Sequence, residues 1–151
     1  MQISKELIDR VLAIYKPEQR VLLEAQLDYP VTKGKFFIGH TSYTIQPFKH
    51  ATDIDIQLCL NQLFYAGLAQ LVLINHEQFR GINFGDIQKE GLLLTRTLKY
   101  FKKLIKRDEI FWGEATLEDI RKCKNYFFMK TSFSFEDRSC FGEEHVIIRG
   151  L

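Results

Sequence analysis

The chain has 151 residues, a length that suits a single domain with a well-filled core. Hydrophobic residues make up 46% and aromatic residues 13%, which predicts either a dense core or apolar surface used by a ligand or a second subunit. A net charge of +2 is too small to indicate nucleic-acid binding, so we expect no nucleic-acid partner.

The first thirty residues predict a helix followed by a strand. Ser4 is expected to cap a helix over residues 4–16, which Pro17 ends. Apolar and polar residues then alternate over residues 20–29, and this pattern predicts a half-exposed strand. The predicted buried face of that strand carries Val21, Leu23, Ala25, Leu27 and Tyr29.

The next segment predicts a hairpin and a connecting loop. Pro30 and a turn signal at residues 32–35 precede a second β-rich run at residues 36–45. Residues 46–52 are expected to lead into the following element, with Thr52 or Asp53 as its N-cap.

Residues 54–74 are predicted to form a helix that is covered on all sides, because apolar residues fall at nearly every helical angle. Polar residues spread through it argue against a membrane span, and we expect none. Gln57, Asn61 and Tyr65 recur at i, i+4 and i+8, which places them in one stripe. Buried amides need partners, so this stripe is either a satisfied hydrogen-bond network or the floor of a polar site.

The C-terminal half is predicted to be rich in strands. Residues 76–89 contain two glycines and no sustained period, which indicates a loop with one helical turn. Four β-rich segments follow. The predicted strands are residues 91–101, 109–120, 125–135 and 144–150.

This order of elements favours one architecture. An antiparallel sheet wrapped around the apolar helix hides that helix with few other helices. We therefore predict a single α+β domain over residues 1–151 with the hotdog fold. Because one sheet edge would stay uncovered, we also expect a homodimer or a larger homo-oligomer.

Cysteine and histidine positions predict no metal site, since none has ligand-like spacing. Glycine-rich phosphate loops are absent from the sequence too, and we expect no bound cofactor. Three cysteines cannot all pair within the chain, and the first residues show no apolar signal segment, so a cytoplasmic protein is expected. Cys59 lies between two leucines and is predicted to be a buried core residue rather than a nucleophile.

Four side chains are candidates for chemistry. Asn61 could donate its amide protons to a developing oxyanion, or could bond to a neighbouring strand instead. His50, in the loop before the helix, could act as a base or could be an exposed histidine. Tyr15 and Tyr43 each carry a hydroxyl that needs a partner if buried, and each taken singly suits a structural role.

Several segments of the sequence resemble the FcoT-like hotdog proteins. The likeness is carried by ELIDRVLAIY at residues 6–15, LEAQ at 23–26, Tyr43, His50, CLNQLFY at 59–65, Arg80-Gly81 and Asp86. It implies an enzyme that acts on fatty acyl thioesters of CoA or of an acyl carrier protein, with thioester hydrolysis as the first expectation. Addition of glycine across the double bond of a 2-enoyl thioester is the alternative. The resemblance also implies that Tyr15, Tyr43 and Asn61 form the active site.

The predicted mechanism places a thioester carbonyl at the start of the central helix, where Asn61 and helix N–H groups would donate to its oxygen. The expected substrate-binding residues are Gln62, Tyr65, Arg80 and Arg96. Glycine addition also requires a carboxylate clamp, for which Arg80, Arg96 and Lys49 are candidates. A basic group could meet CoA phosphates or an acidic carrier protein, or could be a solvated strand edge. That group comprises Lys99, Lys102, Lys103, Lys106 and Arg107.

A non-catalytic alternative stays open, in which the protein sequesters acyl thioesters without turning them over. The absence of the carboxylate that hotdog thioesterases and dehydratases usually carry favours this alternative. The match at Tyr15, Tyr43 and Asn61 favours an enzyme.

Overall fold

The computed structural model describes residues 1–39 and 49–149. Its α-helices are α1 (Lys5–Leu12), α2 (Asp53–Leu73) and α3 (Phe84–Glu90). Its strands are β1 (Leu22–Asp28), β2 (Val31–Phe37), β3 (Leu92–Phe101), β4 (Ile110–Cys123), β5 (Tyr126–Phe135) and β6 (Cys140–Arg149). Short 3-10 helices occupy Pro17–Gln19 and Glu77–Phe79.

The six strands form one sheet in the order β1-β2-β4-β5-β6-β3, and every neighbouring pair is antiparallel. Helix α2 packs against β1, β2 and β4, and α1 packs against both α2 and β1. A sheet that carries one buried helix on its inner face confirms the predicted α+β hotdog architecture.

Helix α2 begins at a capping box. The Thr52 hydroxyl accepts a hydrogen bond from the Asp55 backbone N–H at 3.3 Å, and the Asp55 carboxylate accepts one from the Thr52 N–H at 2.8 Å. The helix is long and apolar enough to cross a membrane, but 72% of its most apolar window is buried inside the fold. Such burial is typical of a core helix, which is the role that the sequence predicts.

A buried ion pair holds the start of α2 against the segment before β4. The Arg107 Nη2 atom lies 2.6 Å from the Asp55 carboxylate, and both side chains are almost fully buried. Arg107 also donates to the Gly39 carbonyl oxygen at 3.3 Å. The expectation that Arg107 belongs to an exposed basic group is therefore wrong.

The predicted hairpin forms with its turn at Tyr29–Pro30, as Pro30 indicated, but residues 32–35 lie inside β2 and not in the turn. Gly34 lies inside β2 under α2, where a Cβ atom would come within 2.7 Å of Leu63 and 2.9 Å of Leu22. The glycine therefore reflects close packing of helix on strand and not a turn. Residues 40–45 of the predicted second strand lie outside the described residues.

Three further features differ from the prediction, namely the face of one residue, one added helix and one helix end. A register shift in β1 next to Leu23 turns that side chain outward, so it is exposed rather than buried. Residues 84–90 form helix α3, capped by Asn83, where a loop with one helical turn was predicted. Helix α1 ends at Leu12, four residues before the predicted end.

Candidate active site

A cavity of about 200 Å³ lies between the end of α1, the middle of α2 and the inner faces of β3 and β6. Its polar lining consists of Tyr15, Asn61, Tyr65 and Glu144. Its apolar lining consists of Ile14, Phe64, Leu92, Leu94 and Val146. The structure thus brings three of the predicted site residues together and adds a carboxylate.

The Asn61 amide is oriented by its neighbour one turn earlier in α2. Gln57 Nε2 donates to Asn61 Oδ1 at 2.9 Å, so the carbonyl side of the amide already has a partner. The two amide protons on Nδ2 are then the part of Asn61 that can serve a ligand in the cavity. The predicted polar stripe is therefore both a hydrogen-bond network and part of a cavity wall.

The two tyrosines present protonated hydroxyls. Burial raises the pKa of Tyr15 far above its ordinary value, and the nearby Tyr65 raises it further. Burial likewise raises the pKa of Tyr65, with a partly offsetting backbone hydrogen bond from Leu92. Both phenols keep their protons at neutral pH, so either can donate to a developing negative charge.

Glu144 is a site residue that the sequence analysis missed. Its side chain is 1% exposed, and Oε2 accepts a hydrogen bond from Gln57 Nε2 at 3.2 Å. Burial raises the pKa of Glu144, and Gln57 and the positive charge of Lys99 offset part of that rise. The cavity therefore contains a carboxylate that was not among the predicted site residues. The sequence did hold a signal, because Glu144 falls in the same strand phase as the buried Val146 and Ile148.

Gln62 points away from the cavity. Its Oε1 accepts hydrogen bonds from the backbone N–H groups of Val21 and Leu22 at 3.0 and 3.1 Å. Its Nε2 donates to the Gln19 carbonyl oxygen at 2.6 Å. The predicted substrate-binding role has no support from this position, because the side chain is buried and bonded to the backbone before β1.

The other predicted catalytic positions fall elsewhere. Tyr43 lies outside the described residues. His50 pairs through its backbone with Lys106 and is not part of the cavity lining. Asn61 is the ninth residue of α2, so the N–H groups around it are used inside the helix and cannot serve the substrate, contrary to the expected mechanism.

The proposed carboxylate clamps also lie on the outside. Lys49 and Arg80 are exposed, and Arg96 points outward with Nη2 3.9 Å from the Glu143 carboxylate. Lys99 instead lines a groove next to the cavity. Leu94 lines both the groove and the cavity, and Gln57 lines the groove and bonds to Asn61. The Lys99 side chain is only 11% exposed, and its Nζ lies 2.7 Å from the Asp53 carboxylate.

The geometry suits hydrogen-bond and proton-transfer chemistry in an apolar enclosure. Across residues 1–39 and 49–149, no group of three or more His, Cys, Asp or Glu side chains is placed to hold a metal ion. Burial raises the pKa of the Cys59 thiol well above its ordinary value, which agrees with the predicted structural role.

Comparison with solved structures supports the fold. A mutant form of a thioesterase from Pseudomonas aeruginosa aligns with a TM-score of 0.59 at 10% identity over 98% of this chain and 95% of that one. Zebra fish thioesterase superfamily member 2 aligns with a TM-score of 0.57 at 6% identity over 95% and 94%. At these identities the likeness shows the shared hotdog-like fold alone.

Comparison with sequences gives the family. Proteins of Mycobacterium tuberculosis and Mycobacterium bovis, each named (2E)-enoyl-ACP glycyltransferase, are 33% identical over 111 residues. The match covers 67% of this chain and 60% of the length of those relatives. Residues 10–148 match the FcoT-like thioesterase domain, a span that includes Tyr15, Asn61, Tyr65 and Glu144. The chain therefore belongs to the FcoT-like thioesterase domain family.

Proposed function

We propose that this protein is an enzyme that acts on fatty acyl thioesters. The observation that carries the proposal is the cavity itself, in which the Asn61 amide and the Tyr15 hydroxyl lie among apolar walls. Hydrogen-bond donors in an apolar enclosure stabilise negative charge more effectively than water does, because they need no reorganisation when the charge develops.

In this mechanism the thioester carbonyl oxygen accepts hydrogen bonds from Asn61 Nδ2 and from a tyrosine hydroxyl. Those bonds strengthen as negative charge moves onto the oxygen, so they stabilise the transition state more than the substrate. Removing one such donor typically lowers the rate about 10²–10³-fold.

A second, smaller cavity marks the direction in which an acyl chain could extend. Its volume is about 30 Å³, and Phe64 lines both this cavity and the larger one. Its other walls include Leu68, Leu71, Phe79 and Met129, between α2 and the sheet. A cavity of this size holds about one water-sized group, so an acyl chain that passes Phe64 would enter it only if the surrounding apolar side chains moved apart.

The reaction that we propose first is addition of glycine to a 2-enoyl thioester. The two mycobacterial relatives support it, since both are named for glycine transfer to an enoyl group on an acyl carrier protein. Lys99 supplies the positive charge that the glycine carboxylate requires. The Asp53 carboxylate that now contacts Lys99 is 67% exposed, so it can turn into solvent when the substrate enters.

Thioester hydrolysis is the second candidate. The description of the family as thioesterase-like supports it. The same donors would stabilise the oxyanion formed when water attacks the carbonyl carbon, and a lysine clamp would have no role.

Either CoA or an acyl carrier protein could meet the basic surface that follows β3, beyond Lys99. Lys102 and Lys103 are exposed at the end of β3 and could meet CoA phosphates or an acidic carrier. We propose no further protein partner besides a second copy of the chain.

Mass spectrometry of a 2-enoyl thioester tests the proposal. The substrate is incubated with the protein, with and without glycine, on CoA and on an acyl carrier protein. An adduct heavier by one glycine indicates addition, whereas free acid formed without glycine indicates hydrolysis. Unchanged substrate that still raises the melting temperature indicates binding alone and overturns the proposed enzyme.

The Asn61→Ala variant links either activity to the cavity. We expect a loss of about 10²–10³-fold in rate with an unchanged circular dichroism spectrum. Asn125→Ala, in the exposed turn between β4 and β5, is the matched control and should retain full activity. An Asn61→Ala variant with wild-type activity would remove Asn61 from the mechanism.

A further inference from the structure

The carboxylate of Glu144 lies where a proton acceptor for the reaction is needed. β6 carries two consecutive glutamates that face opposite sides of the sheet, as strand geometry requires. Glu143 points outward, with its carboxylate 3.3 Å from Lys130 Nζ. Glu144 points inward and lines the cavity together with Asn61 and Tyr15. Only one of these two similar side chains can therefore reach a bound thioester.

One amide joins Glu144 to Asn61. Gln57 Nε2 lies 2.9 Å from Asn61 Oδ1 and 3.2 Å from Glu144 Oε2. This bridge fixes the distance between the group that would hold the carbonyl oxygen and the carboxylate. It also leaves Oε1 of Glu144 as the oxygen that can serve a ligand.

Polar side chains flank Glu144 on both neighbouring strands of the inner face. Thr97 on β3 and Thr131 on β5 are its direct register partners. Both threonine hydroxyl oxygens are buried and have no hydrogen-bond partner among the residues that the structure describes. A purely structural carboxylate would be expected to accept from such hydroxyls, since unpaired buried polar groups are costly.

Asp55 shows how a structural buried carboxylate is held in this protein. It forms an ion pair with Arg107 at 2.6 Å. In the described part of the chain, no Lys, Arg or His side chain forms an ion pair with Glu144. A buried carboxylate without such a pair binds a proton more readily than an exposed one, which is what a general base needs.

The charged and titratable groups around Glu144 come from four elements. Lys99 on β3 and Asp53 at the start of α2 form a pair with each other. Tyr15 after α1 and Tyr65 on α2 line the same cavity and remain protonated. Cys140, in the same inward phase of β6, has a pKa that burial raises to about 11, so it is a neutral thiol at neutral pH. Because both tyrosines and Cys140 keep their protons at neutral pH, Glu144 is the carboxylate in the cavity lining that can accept one.

We propose that Glu144 is the catalytic proton acceptor and donor of this site, an inference that rests on the proposed function. In the addition, the Glu144 carboxylate removes one proton from the ammonium group of glycine. The freed nitrogen lone pair forms the bond to the β-carbon of the enoyl chain, and the π electrons move to the thioester oxygen held by Asn61. Glu144 then delivers its proton to the α-carbon as the carbonyl re-forms. One proton has moved from nitrogen to carbon, and the carboxylate is restored.

Glu144 can perform the same proton transfers in thioester hydrolysis, the second candidate reaction. Glu144 takes a proton from water as the oxygen bonds to the carbonyl carbon, and it returns that proton to the departing thiolate. The proposal therefore concerns the proton path and holds for either reaction.

The test compares Glu144→Gln with Glu143→Gln. Glutamine keeps the size of glutamate but cannot take up a proton, so we expect Glu144→Gln to lower kcat about 10²–10⁴-fold. Glu143→Gln changes the same charge on the outer face and should stay within about twofold of the wild type. Circular dichroism and thermal melting establish that both variants are folded.

The pH profile separates proton transfer from a structural role. Wild-type kcat should rise with pH as Glu144 loses its proton, and this acidic limb should disappear in any residual activity of Glu144→Gln. Glu144→Asp keeps a carboxylate that sits one methylene further back, so we expect it to be slower but to retain the limb. If Glu144→Gln does not fold, Glu144→Asp provides the test instead. A Glu144→Asp variant whose kcat no longer rises with pH on the acidic side would overturn the proposal.

Each outcome has a distinct meaning. A folded Glu144→Gln variant with wild-type kcat and an unchanged acidic limb overturns the role of Glu144 and leaves the proposed function intact. A wild-type protein that converts no acyl thioester overturns the proposed function and this inference together.

Discussion

Lys99 lies on the inner face of β3, and its side chain is only 11% exposed. A lysine in this position can bind a substrate carboxylate more strongly than an exposed lysine can. The Lys99 side chain lines a groove together with Gln57, Thr97 and Leu94, and Leu94 also lines the cavity that holds Asn61. A charge-assisted hydrogen bond contributes about 1.5–3 kcal/mol. A substrate carboxylate bound there should therefore depend strongly on Lys99.

We predict that Lys99→Gln raises the KM for glycine about 10–100-fold at saturating 2-enoyl thioester, as measured by initial rates of adduct formation. Lys35→Gln is the matched control, because Lys35 also pairs with an exposed carboxylate, that of Glu24 at 3.1 Å on the outer surface. An unchanged KM for glycine in Lys99→Gln would place the carboxylate elsewhere.

The site residues were predictable from sequence to the extent that they follow a local pattern. Asn61 and Tyr65 belong to a stripe at helical spacing, and Tyr15 and Asn61 match the segments that resemble the family. Glu144 and Lys99 reach the site from strands that are distant in sequence. Their partners are set by strand order and register, which no local spacing encodes.

Gln62 ties the central helix to the chain before β1, and this link belongs to the scale of whole elements. Its Oε1 accepts from two backbone N–H groups, those of Val21 and Leu22. The pairing of β1 with β2 is irregular at this point, because a register shift lies between Leu22 and Glu24. Buried backbone N–H groups need an acceptor, and Gln62 provides it for these two. The side chain thus replaces a strand partner at that point.

We predict that Gln62→Leu lowers the free energy of unfolding by about 2–4 kcal/mol, because two buried N–H groups lose their acceptor. Urea denaturation followed by circular dichroism measures the change. Gln88→Leu is the control, since the hydrogen bond that Gln88 donates to the Arg10 carbonyl oxygen is 3.4 Å long and exposed. A difference below about 0.5 kcal/mol would show that water replaces the lost acceptor.

Helix α2 and the four C-terminal strands were predictable because each shows a sustained period or a long apolar run. The predicted turn extended too far, to residues 32–35, because Gly34 signals a turn in sequence but serves packing against Leu63 in the fold. Leu23 was assigned to the wrong face because a bulge changes strand phase without any local signal.

At the scale of the whole molecule, β3 is an edge strand whose apolar side chains are unusually exposed. Leu93, Leu98 and Tyr100 on its outer face are 47%, 37% and 51% exposed, and Leu94 and Phe101 on the inner face are 42% and 46% exposed. Exposed apolar edges favour association. We therefore propose a homodimer that covers β3.

Size-exclusion chromatography with light scattering should give about twice the chain mass of 17.8 kDa. Leu98→Lys should shift the protein toward the single-chain mass, because a buried ammonium without a partner is costly. Leu73→Lys changes an exposed leucine at the far end of α2 and should leave the mass unchanged. A wild-type protein of single-chain mass would contradict the proposed dimer.

The central claim is that the cavity at Asn61 holds the carbonyl of an acyl thioester. A crystal structure with an acyl-CoA analogue whose thioester sulfur is replaced by a non-hydrolysable amide nitrogen tests it most directly. We predict the acyl carbonyl oxygen about 2.7–3.1 Å from Asn61 Nδ2, with the acyl chain passing Phe64. An analogue bound elsewhere, with the Asn61 amide still facing an unoccupied cavity, would contradict the account.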